Sequence, residues 1–404
     1  MSEIINNNEK RRKALAELTE LVLAGQKNPE IIKEYRDKLA TLNPSDVLIV
    51  EDTLVKKGLS IENLKTHIEK VLNVIGPTLK EFEWEKPTEA DHPLNLLLKE
   101  NRELEQVLKE IKKLTKKFFL DDDKTDEKDL NKLKKKFAKL SEFNIHYIKK
   151  ENILFPYLEE TVSFEKPMAV MWSLHDDIRK QIKKLHKLID KNEINSNTFK
   201  MEFGNLLSLM NRMVFKEEEI LYPVAYRVLK EEIWDKIYNQ FLEEGFYYLE
   251  TTDLKKKSVQ ERAKQIKSGK VKLPTGEIKV DNLEIILNTL PVEITYVGKD
   301  DRVKYFSGHQ ERIFPRSKAI IGRTVQNCHP PESVHIVEEI LKSFKEGTKD
   351  KEHFRIKMQG RYIMINYYAL RDEQGEYLGT IEVTQDITEI NSYEGEKRLL
   401  DMQS

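Results

Sequence analysis

The 404 residues carry 69 Lys and Arg against 70 Asp and Glu, a formal net charge of -1. That balance gives no strongly basic footprint for nucleic acid, and no apolar run approaches the roughly 18 residues that a membrane span needs. Cys328 is the single cysteine, which rules out an intrachain disulfide, and the start, MSEIINNNEKRRK, lacks the apolar core of a signal peptide. The expectation is a cytoplasmic, bacterial-type protein of two or three domains, with neither nucleic acid nor membrane as partner.

Residues 1–83 read as helices only. Asn43-Pro44 is a cap residue followed by proline at a helix start, Gly58 suits a helix C-terminus, and Ser60 suits the next N-cap. Gly76-Pro77 is expected to stop the last helix. His67 stands alone there, without partners for metal or acid–base work. The arrangement around Asn43-Pro44, Glu51, Leu54, Gly58 and Glu62 resembles an uncharacterised helical family that sits ahead of hemerythrin-like domains. That family carries a Leu-Cys-Asp-x-x-His-like stretch, and Leu64 to Val71 here lacks its cysteine.

Residues 84–248 contain an internal repeat. His146-Tyr-Ile-Lys-Lys-Glu-Asn-Ile-Leu-Phe-Pro156 is echoed by Met213-Val-Phe-Lys-Glu-Glu-Glu-Ile-Leu-Tyr-Pro223. Upstream of each copy, Asn101 precedes Leu104, Leu108 and Ile111, and His175 precedes Ile178, Ile182 and Leu185 at the same offsets. Two repeated helix pairs make an up-down four-helix bundle with inward polar residues. Its helices are expected from Pro93 to about Leu120, from Glu127 through Lys150 to Pro156, from near Pro167, and from a cap at Asn195 or Ser196. A further amphipathic piece runs from Ile233 to Tyr248.

On one helix, ligands at i and i+4 share a face. The first copy has His146 but Lys150 four residues on, and the second has Glu217 but Met213 four residues back. Only half of the set can ligate: His146, His175 and Glu217. Glu151 and Glu218 stand in reserve, about 140° round the helix from positions 146 and 213. The ILFP and ILYP steps resemble the hemerythrin or HHE cation-binding family. That resemblance implies non-haem di-iron, oxygen, nitric oxide or iron-centre chemistry, with His146, His175 and Glu217 as matching ligands and His92 as the His-Pro that opens the first helix. Asn101, Lys150 and Met213 depart from it. Two outcomes stand: one ion in a thinned site, or a metal-free bundle in which Lys150 faces Glu217 and replaces a dication's charge, with Met213 filling space.

Residues 249–280 read as a linker containing a helix over Leu254 to Ile266. After Asn282 the pattern becomes five strands and intervening helices, an α+β domain over 281–390, followed by a tail, 391–404. Leu290-Pro-Val-Glu-Ile-Thr-Tyr-Val297, Phe314-Pro-Arg-Ser317, Ile321-Gly-Arg323, Cys328-His-Pro-Pro331, Tyr377-Leu-Gly379 and Asp386-Ile-Thr388 resemble a PAS sensor domain, which implies a small ligand or cofactor in its cavity and a homodimer through this domain. Cys328 and His329 are candidate cofactor residues, since thiolate and imidazole both ligate haem iron; equally, the segment is a rigid turn before the helix at Ser333.

The chain is therefore expected to be multidomain: an all-α module, a four-helix bundle, then a PAS domain. No phosphate loop, nucleophile elbow or Cys-x-x-Cys pair marks an enzyme. The expected function is a sensor that takes a small-molecule, gas, redox or metal signal and passes it to a protein partner. The alternatives are a non-haem iron protein and a ligand-free scaffold.

Overall fold

Short polar side chains set the helix starts. Asn43 Oδ1 accepts from Ser45 N at 2.9 Å, Ser60 Oγ from Asn63 N at 3.2 Å, and Ser196 Oγ from Phe199 N at 3.0 Å. In the computed structural model, described over residues 2–26, 29–120, 127–162, 165–191, 193–194, 196–247, 269–273, 275–308 and 312–395, the chain forms two compact units, Met1–Gln260 and Glu261–Ser404.

The first unit is helical. Helices α1 (Ser2–Leu23), α2 (Pro29–Lys38), α3 (Pro44–Lys56) and α4 (Ile61–Lys80) precede the bundle. Lys57 ends α3, and Gly58 follows at φ 101°, a conformation that favours glycine. Pro77 does not stop α4 as the sequence suggested. It lies inside the helix, which continues to Lys80 because Ile75 and Leu79 are buried on either side of it. The ring therefore interrupts the backbone ladder without ending the packed face.

The bundle is built from α5 (Pro93–Leu120), α6 (Glu127–Glu142), α7 (Asn144–Lys149), α8 (Phe155–Thr161), α9 (Lys166–Asp190), α10 (Asn197–Lys216) and α11 (Tyr222–Val228), with α12 (Glu231–Glu244) packed on α5 and α7. The expected continuous second helix is interrupted. At Lys150–Leu154 the backbone widens to a π turn, and Glu217–Leu221 does the same in the second copy. Phe155 N bonds Lys150 O, and Tyr222 N bonds Glu217 O, both i→i+5. The prolines that follow, Pro156 and Pro223, have no N–H to continue the ladder.

The N-terminal helices and the bundle share one apolar core, from Leu15 and Leu48 through Leu104, Phe137 and Phe203 to Phe241. Polar contacts reinforce it. Asp52 Oδ1 accepts from the Glu165 and Lys166 N–H groups at 3.2 Å each, at the start of α9. Lys216 Nζ lies 2.7 and 2.9 Å from the two carboxylate oxygens of Glu51, with both residues buried. Glu51→Gln leaves that ammonium without a full counter-charge. The unfolding free energy in urea is expected to fall by about 3 kcal/mol, and to recover substantially when Lys216→Met is added.

In the second unit, hairpin β1 (Lys270–Leu273) and β2 (Gly276–Lys279) occupies the end of the segment read as linker; its expected helix, 254–266, lies outside the described residues. Helix α13 (Val280–Thr289) leads into β3 (Glu293–Gly298) and β4 (Val303–Phe306). Helix α14 (Pro331–Lys345) precedes β5 (Lys351–Met358), β6 (Arg361–Arg371) and β7 (Tyr377–Asp386). The five strands form an antiparallel sheet in the order β4-β3-β7-β6-β5. Val297, Val303, Ile320, Val325, Cys328 and Leu341 form its small apolar core.

Candidate functional site

The polar centre of the bundle lies where the two π turns meet α5 and α9. Widening the turn brings two successive side chains inward. Lys150 is fully buried and its ammonium pairs with Glu217 Oε1; Glu151 is 3 % exposed and turns to α9. On a regular helix Glu151 would sit well round from His146, so its inward position was not evident from spacing.

Glu217 gathers four donor side chains. Besides Lys150, His146 Nε2 lies 3.1 Å from Oε2, Asn101 Nδ2 donates to Oε2 at 3.0 Å, and the Tyr222 hydroxyl donates at 3.0 Å. His146 Nδ1 is 2.7 Å from Glu100 Oε2, and Lys149 and the Tyr247 N–H both donate to Glu100 Oε1. Burial pushes the Glu217 carboxyl up, but Lys150 and His146 outweigh it and the pKa falls to about 2. Burial draws Lys150 and Lys149 down from the usual lysine range, opposed by Glu217 and Glu100.

His175 is completely buried and stacks on Tyr147 with ring centroids 4.2 Å apart. Its Nδ1 donates to Glu151 Oε1 at 2.7 Å, and Arg179 Nη2 donates to Glu151 Oε2 at 2.9 Å. Burial, then Lys150 and Arg179, hold the imidazole pKa well below its ordinary value. The ring is therefore neutral, and its Nε2 has no hydrogen-bond partner. Glu218 faces Asn101 Nδ2 at 3.0 Å and pairs with Arg102. His92 takes no part in the centre: its Nδ1 accepts from Leu94 N at 3.1 Å and its ring lies on Trp234, 4.7 Å between centroids.

The candidate ligands thus divide. His146 meets Glu217, His175 meets Glu151, Glu218 meets Asn101, and His92 caps α5. The residues do not fit a di-iron site, because Lys150 and His146 already occupy the two Glu217 oxygens, and Asn101 and Met213 stand at two further positions. Among the described residues no three His, Cys, Asp or Glu side chains are arranged to hold a metal ion. Sequence reasoning missed Glu100, Lys149, Arg179 and Tyr222. Only the duplicated Lys-Lys-Glu and Lys-Glu-Glu steps hinted that this many charges turn inward.

Burial pushes the Glu151 carboxyl from 4.5 up to about 7, against the pull of Arg179. A raised carboxyl favours the folded state below 4.5 and loses that advantage as pH rises towards 7. Glu217, depressed from 4.5 to about 2, acts oppositely: its stabilisation is complete above 4.5 and disappears as pH falls towards 2. His175, held below its ordinary range, acts against Glu151 across this window, so the Glu151 contribution is read as a difference. Relative to Glu151→Gln, the unfolding free energy of the parent in urea is expected to fall by about 3 kcal/mol between pH 4.5 and 7. Parallel pH profiles of the two proteins contradict the assignment.

In the second unit, Cys328 ends a short helical turn, Val325–Cys328, and is buried in the apolar core. His329 Nδ1 donates to Val325 O at 2.7 Å. Both lie near Arg316, whose guanidinium is 3.4 Å from Glu382 Oε1 and within electrostatic reach of Cys328 and Tyr367. Arg316 stood in the Phe314-Pro-Arg-Ser317 stretch without an assigned role, and Glu382 was not singled out from sequence.

Residues 92–225 match the family model described as the hemerythrin HHE cation binding domain, and 283–388 match that of a PAS domain. Neither match covers the N-terminal helices. No curated protein matches significantly. Among solved structures, a C-terminal domain from Streptococcus mutans is 30% identical, covering 31% of this chain and 98% of that one, with a TM-score of 0.30. A PAS domain from Colwellia psychrerythraea is 18% identical, covering 27% and 97%, with a TM-score of 0.22. A sensory box sensor histidine kinase from Vibrio cholerae is 14% identical, covering 26% and 90%, with a TM-score of 0.21. No helix among the described residues is long and apolar enough to cross a membrane.

Proposed function

We propose that this chain, a hemerythrin HHE bundle followed by a PAS domain, is a cytoplasmic signalling protein that detects a small molecule through the PAS domain and reports it by contact with a protein partner, without turnover. The observation that carries this reading is the Lys150–Glu217 pair. A buried ammonium on the central carboxylate supplies from within the chain the positive charge that a bound cation would bring. Each oxygen of Glu217 is engaged, so the bundle serves as a fixed polar core and not as a reaction centre.

A second reading, a non-haem iron protein, is favoured by one feature. His175 is oriented by Glu151 behind Nδ1, with Nε2 unpartnered, as a metal-binding imidazole is. Elemental analysis of protein purified after iron-replete growth separates the two. The proposal expects far less than one iron per chain. Stoichiometric iron that is lost in His175→Ala, or steady turnover of a substrate, overturns it.

A further inference from the structure

We infer that the inner face of the PAS sheet binds a small zwitterion of the amino-acid class, its carboxylate on Arg316 and its ammonium on Glu293. The inference rests on the reading of this domain as the signal-receiving part and names what it receives.

The inner face is unusually polar for a sheet interior. Glu293 and Thr295 of β3 are 6 % and 3 % exposed, and Glu382 of β7, directly across from Thr295, is 8 % exposed. Two guanidiniums from the segment after β4 lie over this row. Arg312 Nη2 is 3.1 Å from Glu293 Oε2, and Arg316 Nη2 is 3.4 Å from Glu382 Oε1, with the two arginine side chains only 7 % and 11 % exposed. Burying four charges is costly unless each is well satisfied, and here three groups are not. Arg316 Nε has no acceptor, Thr295 Oγ1 has no partner, and Glu293 Oε2 receives no aligned hydrogen bond although Arg312 is near.

These three groups form a directional set. A donor stands at the Arg316 end, an acceptor at the Glu293 end, and a hydroxyl that can do either lies between them. Glu293 and Thr295 are two residues apart on one strand, about 6.6 Å. Nε and Nη of an arginine present a planar fork that matches a carboxylate. A carboxylate acceptor such as Glu293 Oε2 calls for a cationic N–H. The two arginines and two glutamates sum to zero charge, so a ligand with separated charges and none net preserves that balance, whereas a simple anion or cation would break it. Ile365, Tyr367 and Ala369 lie half-buried on the same face of β6, and Tyr367, opposite Glu382, hydrogen-bonds that carboxylate. The long Arg316–Glu382 contact is the one that opens to admit a carboxylate.

Isothermal titration and thermal-shift measurements on the full chain with glycine, alanine, glutamine and γ-aminobutyrate test this, with acetate and methylamine as single-charge controls. At least one zwitterion is expected to bind one per chain and to raise the melting temperature, with both controls far weaker. Arg316→Gln and Glu293→Gln are each expected to weaken binding roughly tenfold or more. Because either change disturbs a buried ion pair, Thr295→Val serves as the variant that keeps both pairs and the shape; it is expected to weaken binding about threefold. No binding by any of the four zwitterions at millimolar concentration overturns the inference. So does affinity unchanged in all three variants, or acetate binding as tightly as the zwitterions. None of these outcomes alters the iron content of the bundle, so this inference and the proposal for the bundle fail separately.

Discussion

Lys150→Met is expected to lower the unfolding free energy of the helical unit by about 3–5 kcal/mol, the cost of leaving one partner of a buried ion pair uncompensated. The substitution keeps the volume and apolar stem of the side chain, so lost packing contributes little. What remains is a carboxylate with no ammonium beside it. Glu217 would still accept from His146, Asn101 and Tyr222, which places the loss at the lower end of that range. Glu217→Leu is expected to cost more, because it orphans three donors and the Lys150 ammonium together. Urea denaturation at pH 7 measures both. A loss below about 1 kcal/mol for Lys150→Met would mean that the pair is not the electrostatic centre of the bundle. Met213→Leu, in the same layer and fully packed, is the control and is expected to cost less than about 1.5 kcal/mol.

Residue pattern carries the architecture well and the site only in part. The five strands read from alternation and turn residues in the PAS domain are all present, as β3 to β7. The bundle helices follow from their caps and apolar spacing. Two kinds of feature were hidden. The first is helix geometry. A period of 3.6 assigns Lys150 and Glu151 to different faces, and only the widened turn ahead of Pro156 buries both. The second is partnership across distant segments. Glu100 meets His146 and Lys149, Glu51 meets Lys216, and Arg316 meets Glu382, pairs that no local pattern announces. Lys150 opposite Glu217 was legible, because the internal repeat aligns the two positions and leaves one cation and one anion facing the same axis.

The same alignment marks three positions at which ligands can be introduced, and the triple variant Asn101→His, Lys150→Glu, Met213→His is expected to acquire iron. The parts that orient ligands are still in place. Glu100 lies 2.7 Å from His146 Nδ1 and Glu151 lies 2.7 Å from His175 Nδ1, the carboxylate-behind-imidazole arrangement that fixes a ligating ring. Both π turns also remain. Removing the Lys150 ammonium frees one oxygen of Glu217 and puts a second carboxylate beside it, and two buried like charges repel strongly without a cation between them. The variant should therefore be markedly less stable when metal-free than the parent chain. It should recover by about 3 kcal/mol or more when iron is present at a hundredfold excess over its dissociation constant, as mass action on the folded state requires. Elemental analysis and melting temperature with and without chelator read the two halves of this expectation. A triple variant whose melting temperature is the same with iron and with chelator would show that the bundle has lost more than three side chains' worth of its site. In that case the Lys150–Glu217 pair would be a packing solution of its own, and not the replacement of a cation by an ammonium.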